Sequence, residues 1–214
     1  MRLRRFHGLI AGLILLAGCT GNFGAAEKVS VTKSNFIIAG PPGYCVDGSA
    51  TRDDGDSAFV LLGSCASVAG RVGLPEPSVR AVLTASVAPD RGGDVGQSLD
   101  ALEMFFDSSQ GRAALARNGR ASSVKLLDTR RGDNLLLLHI DDDSNRTQLN
   151  LSNDHWRGFL FQNGQIVTLG VSGFLIRPLS DKVGLDLLRA FVGQVVAHNP
   201  PPEPVPQMTK QTGQ

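Results

Sequence analysis

The sequence is poor in aromatic residues and shows no excess of charge of either sign. Its 214 residues include one tryptophan, one tyrosine and three cysteines. Lys and Arg number 21 against 20 Asp and Glu, a formal charge of +1. That balance excludes the basic footprint of a nucleic-acid-binding domain. Charged residues make up 19% and hydrophobic ones 42%, which excludes wholesale disorder. The one long apolar run lies at the extreme N-terminus, which excludes a polytopic membrane protein. No G-x-x-x-x-G-K-S/T or G-x-G-x-x-G loop is present to cradle a phosphate. No H-E-x-x-H spacing marks a metal centre, and no C-x-x-C offers thioredoxin-type redox chemistry. Gly170-Val171-Ser172-Gly173-Phe174 keeps only half of the G-x-S-x-G nucleophile elbow.

What is present begins with an address. Arg2, Arg4 and Arg5 precede an apolar run from Gly8 to Leu16, the charged and hydrophobic regions of a secretory signal. The run is too short for a mature spanning helix. It ends in Leu16-Ala17-Gly18-Cys19. This tetrad resembles the lipobox of bacterial lipoproteins: an aliphatic residue, two small residues and a cysteine. The resemblance implies lipidation of the Cys19 thiol, cleavage before it and acylation, typically palmitoylation, of the new amino group. Several buried acyl chains anchor firmly, at roughly 0.8 kcal/mol per methylene. Phe6 directly after Arg4-Arg5 departs from a twin-arginine signal, so the general secretory route is expected. The absence of aspartate at position 20 favours the outer membrane. Cleavage removes three of the 21 basic residues, leaving 18 against 20 acidic ones and a net charge of −2.

Lipidation of Cys19 would leave Cys45 and Cys65, which are 20 positions apart. An oxidising periplasm makes a disulfide their default state, and closing a loop of this size contributes about 3 kcal/mol. A reactive Cys45 served by His139 or His155 is the competing reading, and no local motif supports it.

Four regions are expected along the chain: a signal over 1–18, a tether over 19–27, one domain over 28–198 and a tail over 199–214. The tail holds Pro200, Pro201, Pro202, Pro204 and Pro206, five of the eleven prolines, and has little to bury. It suits a terminal spacer or a ligand for a proline-recognising partner.

Within the domain, strands are expected at Val29–Val31, Phe36–Ile38 and Ser57–Cys65. Another is expected where Val79, Ala81, Leu83, Ala85 and Val87 alternate with polar residues. Ser98 is placed to cap a helix striped by Leu99, Leu102, Phe105 and Phe106, and Asn118-Gly119 stops the helical stretch. Strand pairs follow at Val124–Leu127 with Leu135–Ile140, and at Phe159–Phe161 with Ile166–Val171. Asn163-Gly164 suits a type I′ turn between the last two. Ser180 precedes a closing helix whose Val183, Leu187, Phe191 and Val195 recur every four residues. This order predicts an α+β domain with an antiparallel β-sheet packed by helices.

Phe36-Ile37-Ile38 running into Pro41-Pro42-Gly43-Tyr44 resembles the strand and turn that open PsbP-like domains. The meander and closing helix are similar as well, over most of 28–198. Cys45 and Cys65 lie outside that pattern. The chain also resembles uncharacterised proteobacterial envelope lipoproteins. The first resemblance implies a non-catalytic accessory or binding role and the second leaves function open; no cofactor is expected.

Several clusters remain as chemical candidates. Asp141, Asp143 and Asn145 alternate like the start of an EF-hand loop, but Arg146 and Ser152 stand where glycine and glutamate belong. A solvated turn is expected there instead. His139 is expected to face out of the core. Asp141, Asp154 and His155 are candidates for one site, and Tyr44 with Trp156 for a ligand surface or a core margin. No metal site is expected. The function expected is that of a lipid-anchored module on the periplasmic face of a bacterial membrane, working with an envelope partner. A hydrolase using His139, His155 and Ser172 is the second reading, and a purely structural envelope protein the third.

Overall fold

A computed structural model describes residues 25–92, 99–144 and 150–202. Cys19 and the rest of the signal lie outside the described residues, as do Ser98, Asn145, Arg146 and most of the tail.

Two strands, β1 (Lys28–Val31) and β2 (Phe36–Ala39), form an antiparallel hairpin. The remaining strands are β3 (Tyr44–Val46), β4 (Arg52–Asp53), β5 (Ala58–Ser64), β6 (Val82–Pro89), β7 (Val124–Arg131), β8 (Leu135–Asp142), β9 (Leu151–Gln162) and β10 (Gln165–Phe174). They build an eight-stranded sheet in the order β3-β5-β6-β10-β9-β8-β7, with β4 also pairing β5. Every pairing is antiparallel. Among the described residues, four α-helices complete the fold: α1 (Cys65–Ala69), α2 (Leu99–Asp107), α3 (Ser109–Leu115) and α4 (Asp181–His198). The α+β architecture expected from the sequence is therefore present.

Period-two patterning decides which side chains go where. On β6, Leu83, Ala85 and Val87 are buried on one face, and Val82, Thr84 and Ser86 stand on the other. On β10 the buried set is Val167, Leu169 and Val171. These residues meet α4, whose Leu185, Leu187, Leu188, Phe191, Val192 and Val195 are buried against them in one core. Each large side chain withdrawn from water there contributes about 2 kcal/mol. Gly184 lets α4 approach, since a Cβ at this position would sit 2.8 Å from Trp156 Cδ1. The hairpin β1–β2 packs beside α4 in the same layer.

A second core lies on the opposite face. There α2 and α3 cover β7, β8 and β9 through Leu102, Phe106 and Leu115, packed on Leu136, Leu138, Ile140 and Phe159. The helical stretch is broken at Ser108, between α2 and α3. The Ser108 hydroxyl accepts from Gly111 N–H at 3.1 Å and donates to Phe105 C=O at 2.6 Å. A Cβ on Gly111 would lie 2.0 Å from Phe105 O, so the corner requires glycine. α2 and α3 cover only the β7-β8-β9 half of this face. Among the described residues, the β5-β6-β10 half is met at its β5 end by the short α1, whose Val68 lies against Gly63, and is otherwise left partly exposed.

Several boundaries move. Cys65 opens α1 instead of ending β5, because the Ser64 side chain caps the helix by accepting from Ser67 N–H. β9 starts at Leu151, so Asn153 to Trp156 belong to a strand. Asn163 and Gly164 have φ of 51° and 70°, as a type I′ turn demands. Asn199, expected in the tail, is buried and belongs to the fold. Cys45 and Cys65 form a disulfide with Cα atoms 4.7 Å apart, joining β3 to α1.

Candidate functional site

The two histidines singled out in the sequence stand on opposite faces of the sheet. His139 sits on β8, paired with Trp156 of β9, and faces α4. It is buried, contrary to the outward orientation expected, because α4 closes over that end of the strand. Its Nε2 donates to Asp154 Oδ1 at 2.7 Å, and its Nδ1 lies 3.4 Å from Asp181 Oδ1 at the start of α4. The ring stacks on Trp156 with centroids 4.6 Å apart and an interplanar angle of 2°. The Arg130 guanidinium lies 6.0 Å from the centroid of the same indole. Asp154 is thus a partner of His139 and does not meet His155.

His155 is one residue away on the strand and so points to the other face. Its Nδ1–H donates to Asn153 C=O at 2.9 Å, which leaves Nε2 as an acceptor. That atom is buried and has no hydrogen-bond partner. Burial is the largest cause holding the imidazole down to about 4, with Arg157 and Arg117 adding to it. Ser172 faces His155 directly across the β9–β10 ladder. The unpartnered Nε2 shows that no serine–histidine hydrogen bond is assembled between them.

The remaining candidates separate in the same way. Tyr44 and Trp156 belong to one core, each 1% exposed, and do not form a surface. The Tyr44 hydroxyl donates to Val79 C=O at 2.7 Å, and burial pushes the phenol up. Asp142, expected in a solvated turn, is buried. It accepts from Arg117 N–H at 2.9 Å, from Ser144 N–H at 3.0 Å and from the Ser144 hydroxyl. Burial raises its carboxyl, but these bonds and the Arg117 charge outweigh it and the net direction is down. Among the described residues no group of three His, Cys, Asp or Glu side chains is placed to hold a metal.

The feature missed in the sequence is Arg157. It follows His155 by two residues on β9, faces the same side, and is flanked by Gly170 on β10 and Leu138 on β8. The row continues to Thr84 on β6 and Leu61 on β5. Arg157 thus stands at a step, with α2 and α3 on one side and the partly exposed half of the sheet on the other. That half presents Thr84, Ser86, Thr168 and Ser172 together with Phe59, Leu61 and Val82, none of them buried. A charged residue alternating with His155 and Phe159 was the only signal in the chain. Its position beside Gly170 depends on strand pairing between distant segments.

A separate cleft of about 600 Å³ lies where the Pro41-Pro42 turn and Pro75 face Val183 and Leu187 of α4. Its lining is largely apolar and includes the carboxylates of Glu76 and Asp186. Compared with known proteins, the chain matches no family model, no curated protein and no solved structure.

Proposed function

We propose that this chain is a lipid-anchored envelope protein, held through Cys19 at the periplasmic face of a bacterial membrane, the outer membrane being favoured. It acts there as a non-catalytic accessory or binding module, in the manner of the PsbP-like domains it resembles. The lipobox residues Leu16 to Cys19 support the anchor. The Cys45–Cys65 disulfide supports an oxidising compartment. No helix among the described residues is long and apolar enough to cross a membrane.

The observation that carries the binding reading is the division of the sheet's second face. One half is sealed by α2 and α3, and the other displays hydroxyl and apolar side chains that are at least partly exposed among the described residues. Meanwhile the catalytic candidates are dispersed, His139 on one face and His155 with Ser172 on the other.

Two measurements test this proposal. Metabolic labelling with a palmitate analogue should mark the full chain and be lost in Cys19→Ser. Labelling that persists in Cys19→Ser, or never occurs, overturns the anchor. In-cell cross-linking of the lipidated chain should enrich one envelope complex in an anchor-dependent way. Recovery of no partner from either form overturns the accessory role and leaves small-ligand binding.

A further inference from the structure

We propose that Arg157 anchors a binding site for an oxyanion, the carboxylate or phosphate group of a small ligand, on the partly exposed half of the sheet. The proposal goes beyond the envelope role above and does not depend on lipidation of Cys19.

The first ground is an imbalance of charge. The Arg157 side chain is only partly exposed, yet it makes no hydrogen bond and no ion pair among the described residues. Withdrawing a guanidinium from water without a partner is costly, and such groups are normally paired. Its charged neighbours are Arg117 and Asp142. Asp142 is already engaged by the Arg117 N–H, by both Ser144 donors and, at 3.9 Å, by the Arg117 side chain. His155, two positions away on the same face, adds no counter-charge. Burial and Arg117 both pull Arg157 below its usual value, with only Asp142 opposing, which is the response of a cation lacking an anion.

The second ground is the shape of the surroundings. Across the ladder from Arg157 is Gly170, which has no side chain of its own beside the guanidinium. A Cβ at position 170 would come within 2.5 Å of Thr84 Oγ1, so the Thr84 hydroxyl occupies the space over Gly170. Thr84 pairs with Gly170 from β6, and Thr168 and Ser172 flank Gly170 on β10. None of these three hydroxyls is engaged by a protein group among the described residues. A planar, forked cation on the same face as these hydroxyls suits a carboxylate or a phosphate, each of which accepts several hydrogen bonds. No unpaired guanidinium nitrogen is sealed from solvent, so a ligand has access.

The test titrates the full chain, in detergent, with inorganic phosphate and with acetate, following the Arg157 side-chain NMR resonance and the unfolding midpoint. At least one anion should shift the resonance saturably and raise the midpoint. Arg157→Gln should abolish both responses while raising the anion-free midpoint, because it removes an uncompensated cation. Arg157→Lys should weaken binding about tenfold, since a point charge loses the forked contact. Thr84→Val should weaken it several-fold with the fold intact. Phosphate alone, or acetate alone, assigns the ligand class. Binding to phosphatidylglycerol vesicles and not to phosphatidylcholine ones, lost in Arg157→Gln, with no response to either free anion, overturns the small-ligand reading in favour of a lipid headgroup. No saturable response to any probe, or equal binding by Arg157→Gln, overturns the site itself.

Discussion

The side chain of Asn199 pairs with the backbone of Ile37 as a strand would. Its Oδ1 accepts from Ile37 N–H at 2.9 Å, and its Nδ2 donates to Ile37 C=O at 2.7 Å. The same Nδ2 donates to Val195 C=O at 2.7 Å, and the Asn199 carbonyl accepts from Gln162 at 2.7 Å. One residue thus ties the end of α4 to an edge strand of the hairpin and to the β9–β10 turn. Only an amide supplies both donor and acceptor here. Asn199→Ala strands two backbone groups of Ile37 and should cost about 2 kcal/mol. Asn199→Asp loses the donor and should cost at least as much. Urea denaturation of both variants checks this, with removal of 203–214 as a control that should leave stability unchanged.

The disulfide supplies a second prediction. Cys45 and Cys65 are separated by 20 positions, and both are buried. Closing that loop restricts the unfolded chain and is worth about 3 kcal/mol. Reduction, or the Cys45→Ala/Cys65→Ala double variant, should lower the unfolding free energy by that amount, seen as a lower urea midpoint with a steeper slope as the unfolded chain exposes more surface. A midpoint indifferent to reductant would show that the crosslink does not restrain the unfolded chain.

His155 sets a pH dependence whose sign is fixed. Burial holds its folded-state value down to about 4, against 6.5 when exposed. Between these limits the unfolded chain binds a proton that the folded chain refuses. Stability therefore rises with pH across this window and is level above it. The loss on acidification to pH 4 is about 3 kcal/mol. The groups facing the ring are Asn153 C=O, Arg157, Arg117 and Asp142. Asp142 titrates below its ordinary 3.8, so its own acid loss falls outside the window. Denaturation of the wild type between pH 4.5 and 7 should show the slope, and His155→Leu should flatten it. An unchanged slope in the variant would assign the dependence to another group.

These residues also show what the sequence conveys. Strands β6 and β10, the Asn163-Gly164 turn and the stripe of α4 were legible because each rests on local periodicity or on a turn that demands positive φ. The closing end of β5 was not, since a serine cap redirects the apolar run ending at Cys65 into α1. The polar start of β9 carries no strand signal of its own, because Asn153 and Asp154 fit a turn as well as an outward-facing strand position. His139 was misplaced because its face is chosen by α4, which arrives forty residues later. The Arg157 site needs Gly170, Thr84 and Arg157 in one row, a fact of strand order that no single segment carries.

Helix α4 offers a paired test of close packing. Gly184 and Gly193 lie in the same helix, and helix propensity favours alanine at both by about 1 kcal/mol. Their surroundings differ. A Cβ at Gly193 meets nothing within 4 Å, whereas one at Gly184 would lie 2.8 Å from Trp156 Cδ1 and 3.3 Å from Nε1. Trp156 cannot retreat, being fully buried and stacked on His139. Gly193→Ala should therefore stabilise by about 1 kcal/mol. Gly184→Ala should destabilise by about 1–3 kcal/mol through overpacking, despite the same gain in propensity. Displacement of the indole would also part it from His139, so the tryptophan fluorescence of Gly184→Ala should shift while that of Gly193→Ala stays fixed. Equal and favourable effects at both positions would mean that α4 rests on the sheet more loosely than the contact at Gly184 requires.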